Sequence, residues 1–143
     1  MLLNMTIAAF MMVATTVIHA AGMMLVMHNV KQTRRGLMGW LRKVNVYRVS
    51  IIILTMFVVA ILEALVWAFA YMGLGAIQGL EQALYFSTVT FTTLGYGEIV
   101  LDEQWRLLAS FEAANGIIMF GWSTAIVMAA VHHLYFEDKN KSQ

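Results

Sequence analysis

The chain has 143 residues, of which 61% are hydrophobic and 12% charged, against about 25% charged in typical soluble domains; its mean hydropathy is +0.74. So little polar surface excludes a soluble domain of this size and points to lipid as the solvent. With no Cys there is neither a disulfide framework nor a thiolate metal site, and with no Pro a helix bend has to come from glycine. The net charge is only +1 and the charges are segregated along the chain, so no nucleic-acid partner is expected.

The first element is the apolar run from about Leu2 to Met27, longer than the roughly 20 residues needed to cross a bilayer core. It has no Lys or Arg before it, exceeds the core length of a signal peptide, and is followed rather than preceded by positive charge. Residues 1–28 are therefore expected to be a retained N-terminal transmembrane helix. Residues 29–48 follow, with six cations, Lys31, Arg34, Arg35, Arg42, Lys43 and Arg48, and no acid. The positive-inside rule makes this a cytoplasmic loop, with the amino terminus outside and the carboxyl terminus, after two more crossings, in the cytoplasm. Within it Trp40, Val44 and Tyr47 fall at i, i+4, i+7, the pattern of an interfacial amphipathic helix. Two readings stay open for that segment. It is a gating lever or anionic-lipid site, each cation contributing about 1 kcal/mol near an anionic surface, or it only anchors the span ends.

A second span runs from about Val49 to Tyr71 and carries one carboxylate, Glu63, with no evident partner. Next comes Leu80 to Thr92, a Thr-rich apolar segment of 13 residues. As a helix it reaches about 20 Å, short of the roughly 30 Å core, so it is expected to dip in and return. Directly after it stands Thr92-Thr93-Leu94-Gly95-Tyr96-Gly97-Glu98. A strand that points successive carbonyls inward must alternate between dihedral regions, and Gly95 and Gly97 reach positive φ at little steric cost. Leu94 and Tyr96 can then face supporting protein while their carbonyls, with the Thr93 hydroxyl below them, form a column of hard oxygen donors for a cation. One strand cannot enclose an ion, and the segment occurs once, so several copies around an axis are required.

The third span covers about Leu107 to His133 and holds a second intramembrane carboxylate, Glu112, one turn before Gly116. Glu112 suits a brace on the back of the short helix through Ser or Thr hydroxyls. Charge inside a span is a functional hypothesis by default, so Glu63 and Glu112 join Gly116 and Gly121 as gating candidates; each glycine serves either bending or close packing. Ile117, Phe120, Thr124 and Met128 recur at helical spacing on this span. His19 is expected to be a hydrogen-bonded packing residue, and His28, His132 and His133 interfacial ones. Residues 136–143 make a short polar tail. There is no nucleophile–base pair and no phosphate loop, so enzymatic activity is not expected.

Thr93 to Gly97 matches the T-x-G-Y-G signature of tetrameric potassium channels. The segment Tyr85 to Thr92 resembles that family's pore helix, and Gly116 and Gly121 are spaced like its inner-helix glycines. The likeness, closest to small prokaryotic two-span pores, covers roughly residues 45–135 and leaves the first helix unexplained. It implies an all-α membrane protein with three transmembrane helices and a re-entrant pore helix, assembled as a homotetramer in the cell membrane. Its pore domain, 49–135, would comprise an outer helix at 49–71, a pore helix at 80–92, a filter at 93–97 and an inner helix at 105–133. It further implies passive potassium conduction, with K+ coordinated by Thr93, Leu94, Gly95, Tyr96 and Gly97, filter support from Tyr85, Val89, Thr92 and Glu98, and a cavity lined by Ile117, Phe120, Thr124 and Met128. A subunit of a potassium uptake transporter and a non-conducting channel-like scaffold or sensor are the alternatives.

The sequence departs from the family's commonest pattern at Leu94, where Val is usual, at Glu98, where Asp is usual, and at Val89, which cannot serve as the carboxylate some bacterial members carry there. A bond from the Tyr85 hydroxyl to Glu98 would compensate. If that bond steadies the filter, Tyr85→Phe changes open probability in single-channel records; an unchanged open probability would contradict it.

Overall fold

The computed structural model describes residues 1–32 and 45–135, and among these the regular structure is helical: α1 (Leu2–Gln32), α2 (Asn45–Gly73), α3 (Leu80–Phe91) and α4 (Arg106–Tyr135). Three of them are apolar over 27 residues, Leu2–His28, Tyr47–Gly73 and Arg106–His132, about 40 Å each at 1.5 Å per residue. That length spans the hydrocarbon core. The helix α3 has 12 residues, about 18 Å, and cannot cross. The protein is an all-α membrane protein.

The helices run further than the apolar runs alone suggest. Residues 29–32 continue α1 and residues 45–48 open α2, so both ends of the expected basic loop are helical, because nothing in Asn29–Gln32 or Asn45–Arg48 breaks a helix. Arg34, Arg35, Trp40, Arg42, Lys43 and Val44, which carry the interfacial-helix expectation, lie outside the described residues, as does the tail 136–143. Tyr47 belongs to α2 and is exposed.

Hydrogen bonds fix the helix directions. Along α1 and α4 the partners keep a nearly constant offset: Asn4 Nδ2 donates to the Gln104 carbonyl at 2.7 Å, Asn115 Nδ2 donates to Thr15 Oγ1 at 2.8 Å, and His19 Nε2 faces Ser123 Oγ at 3.5 Å. A constant offset means parallel helices, so the amino terminus sits at the same end of the bundle as the segment between α3 and α4. Against α2 the relation reverses, since His19 pairs with Glu63 while Gly22, further along α1, packs on Val59. Between α2 and α3, Gly75 (φ 68°) and Gly79 (φ 89°) take left-handed dihedrals that a side chain would resist. The Ala76 N–H returns to the Tyr71 carbonyl at 2.9 Å, and the chain turns back into the bundle.

The core has two parts. One, at the α3 end, gathers Trp67, Tyr71, Phe86, Phe91, Leu108 and Met119; the other, nearer the far ends of the long helices, holds Ile52, Met56, Val59 and Ile126. Lipid supplies no hydrophobic drive between helices, so association rests on close packing and hydrogen bonds. Exposed Phe10, Val17, Leu54 and Phe57 are what a hydrocarbon solvent permits.

Gly116 shows close packing at its tightest. A Cβ there would collide with the backbone carbonyl of Phe91, the last residue of α3, whereas one on Gly121 would meet nothing. Of the two uses open to Gly116 from sequence, the structure shows packing. Gly116→Ala should therefore lower the thermal stability of the detergent-solubilised assembly by an amount corresponding to about 1–3 kcal/mol of overpacking, while Gly121→Ala leaves it near wild type. Equal melting temperatures for the two variants would contradict this packing.

Candidate ion-conducting site

At its carboxyl end α3 passes directly into the glycine-bearing segment. Thr92 closes the helix in right-handed geometry (φ −78°, ψ −1°). Three residues then take positive φ in alternation: Thr93 at 61°, Gly95 at 60° and Gly97 at 80°; Thr93 is the only non-glycine among the described residues to do so. When every second residue is left-handed, successive peptide units keep the same orientation and their carbonyls line one side. The left-handed region costs a side chain about 1–2 kcal/mol and is a genuine outlier for a β-branched one, so Thr93 is held there by its surroundings.

Those surroundings are the last carbonyls of α3, which have no intrahelical partner. The Thr93 N–H donates to the Thr90 carbonyl at 2.9 Å, and the N–H groups of Leu94 and Gly95 both donate to the Val89 carbonyl, at 2.9 and 3.1 Å. Val89 thus acts through its backbone. The Thr92 hydroxyl donates to the Thr88 carbonyl at 2.7 Å, so it caps its own helix instead of reaching into the segment beyond. With three N–H groups tied to the helix, the first carbonyls of the segment are left free to point elsewhere.

At the far end of the segment, Tyr85 Oη donates to Glu98 Oε2 at 2.5 Å. The bond ties the base of the segment's far side to the middle of α3, and it pushes the Tyr85 phenol above its ordinary pKa, the hydrogen bond to Glu98 being the main cause. From Thr92 to Glu98 every residue is exposed in the single chain, including Leu94 at 55% and Tyr96 at 65%. Irregular backbone at membrane depth survives only inside protein or beside water. Leu94 and Tyr96, expected to face supporting protein, are covered only in part by their own chain.

The position of α3 is set from behind. Glu112 on α4 is fully buried; it accepts from Tyr71 Oη at 2.6 Å and meets Ser87 Oγ at 2.5 Å. Ser87 Oγ also lies 2.6 Å from the Ala64 carbonyl, so the hydroxyl faces two oxygens with one proton. A carbonyl can only accept, so either the hydroxyl shares its proton between the two oxygens or Glu112 carries a second one and is neutral, the form a membrane interior tolerates. Ser87 thereby joins α3 to α2 and α4. One turn on from Ser87 is Phe91, and one turn on from Glu112 is Gly116, so the two helices are fastened at two successive turns.

On α4, Ile117, Phe120, Thr124 and Met128 are all exposed in the single chain, on a side away from buried Glu112, Asn115, Met119 and Ile126. Phe120 reaches back to Phe91 edge to face, with ring centroids 5.7 Å apart, and the Thr124 hydroxyl donates to the Phe120 carbonyl at 2.9 Å. Glu63, which had no evident partner in the sequence, has one: His19 Nδ1 lies 2.9 Å from its Oε1, both side chains buried. The tyrosine that holds Glu112 also escaped sequence reasoning. Its signal was present, because Glu63, Trp67 and Tyr71 stand at i, i+4, i+8 on α2 and all are fully buried.

If Glu112 is neutral, its amide isostere should replace it. Glu112→Gln keeps an oxygen for Tyr71 and a donor for Ser87, and its melting temperature should stay close to wild type; Glu112→Leu strands both hydroxyls, at about 1–3 kcal/mol for each buried group left unpaired. A Gln variant as unstable as the Leu variant would show that the carboxylate form is the one required.

A family model described as an ion channel matches residues 49–133, which comprise α2 from Val49, all of α3 and the connecting segment, and α4 to His133. No curated protein and no solved structure matches the chain. The helix α1 lies outside the matched region. The match takes in more than half of the sequence, and the chain belongs to this ion-channel family.

Proposed function

We propose that the protein is a homotetrameric, potassium-selective channel that passes K+ down its electrochemical gradient through a filter of backbone carbonyls. The observation that carries this reading is the alternation of positive φ at Thr93, Gly95 and Gly97 in a segment wholly exposed in the single chain. Four copies around an axis turn one carbonyl column into a ring-lined path, with oxygens from Thr93, Leu94, Gly95, Tyr96 and Gly97 replacing the ion's hydration shell. The same assembly covers Leu94 and Tyr96. Below the filter, Ile117, Phe120, Thr124 and Met128 line the cavity. The carboxyl end of α3 points its helix dipole toward the ion path with the sign that favours a cation. With the basic segment before α2 in the cytoplasm, the filter faces outward, the amino terminus lies outside, and anionic lipid neutralises the segment's cations.

Purified chain reconstituted in liposomes should show passive potassium flux well above sodium flux, blocked by barium. Gly95→Ala forces a Cβ into left-handed geometry at about 1–2 kcal/mol per chain, in every copy of one ring, and should abolish that flux. Equal sodium and potassium flux would overturn the selectivity. Absence of flux at every pH and lipid composition would overturn conduction.

A further inference from the structure

The helix α1 lies outside the part of the chain that matches the ion-channel family, yet it is fastened to the rest of the bundle by buried polar contacts along its length. Asn4 and Thr15 bond to the Gln104 carbonyl and to Asn115. Deeper in, one side chain touches both long helices of the pore region. His19 is 1% exposed. Its Nδ1 meets Glu63 of α2 at 2.9 Å, its Nε2 faces the Ser123 hydroxyl of α4 at 3.5 Å, and its ring lies against Trp122 of α4 with centroids 4.9 Å apart. Gly22, three residues on, brings α1 so close to α2 that a Cβ would strike Val59.

Two features make this more than anchoring. Gly121, where α4 has open space and no side chain, immediately precedes Trp122 and Ser123, so any bend of α4 at Gly121 must move the two residues that His19 holds. The interface is also left imperfect: Glu63 Oε2 and Asn115 Oδ1 are buried acceptors without a hydrogen-bond partner. An anchor in a membrane gains by satisfying its polar atoms. Each such buried group calls for an explanation, and a second arrangement of the contact in which it is paired is one.

We propose that α1 is a coupling helix and that His19 is its positioning residue, tying the inner helix α4 to the outer helix α2 beside Gly121 and thereby setting the balance between the open and closed channel. The inference rests on the channel reading for its gating consequence; the tie itself does not. Breaking a contact made in one conformation shifts the population toward the other by the contact's differential stability.

The test uses the full chain, with His19→Phe to keep a ring against Trp122 while removing both polar arms, and Ser123→Ala to remove one hydroxyl from α4. In single-channel records both variants should shift open probability in the same direction by at least about fivefold, the low end of coupling between sites, with unit conductance and ion selectivity unchanged. The double variant should shift it no further than His19→Phe alone. Hydrogen–deuterium exchange gives a readout independent of conduction: amides from 121 to 131 should exchange faster in both variants, and those from 107 to 119 at the wild-type rate. If His19→Phe fails to assemble, Ser123→Ala decides. Open probability and exchange both at wild-type values would overturn the proposal, as would additive effects in the double variant. A wild-type chain that does not conduct, with exchange responding as described, would overturn the channel reading and leave the tie standing.

Discussion

Backbone polar groups at membrane depth have to be satisfied by the protein or by water, because hydrocarbon offers no partner. The long helices meet this requirement internally. The segment from Thr92 to Glu98 does not, since it is irregular, carries three left-handed residues, and is exposed throughout in a single chain. Everything near it compensates. The first three N–H groups are tied to the end of α3, Tyr85 secures Glu98, and the carbonyls that remain are oxygen donors waiting for an enclosure. On the function proposed above, further copies of the chain and the ions they surround complete such a structure.

Holding α3 at the right depth falls to α4. Its buried face presents Glu112 to Ser87 and Tyr71, Asn115 to Thr15, and Gly116 to the Phe91 carbonyl within a single turn and a half. Three of these contacts are hydrogen bonds and the fourth is contact so close that only glycine admits it. Each is of a kind that works in lipid, where apolar surface alone gives helices no reason to meet. The opposite side of the same helix carries Ile117, Phe120, Thr124 and Met128. One helix thus braces the short helix with one face and leaves the other uncovered in the single chain.

Much of this was legible in the residues. Run length marked three spans and a fourth segment too short to cross, and the glycine spacing marked where left-handed dihedrals fall. Glu112 was readable as a brace because a carboxylate one turn before a packing glycine must find a partner on whatever packs there. Partnerships across the bundle were not readable. Nothing local says that Glu63 meets His19 on a helix 44 positions away, since that pairing follows from α1 running antiparallel to α2, a tertiary fact. Thr93 was also opaque in one respect, because a β-branched residue is the last expected to take positive φ. The hydroxyl of Thr92 went to its own helix for the opposite reason: a local bond four residues back was already available.

The central claim is that ions complete a ring built from several copies of the Thr93–Gly97 segment. Native mass spectrometry and thermal melting of the purified protein in potassium chloride against sodium chloride address it together. The account predicts a tetramer whose melting temperature rises with potassium and not with sodium at equal ionic strength, and whose potassium response disappears in Gly95→Ala. A monomer or dimer, or a tetramer equally stable in the two salts, would contradict it.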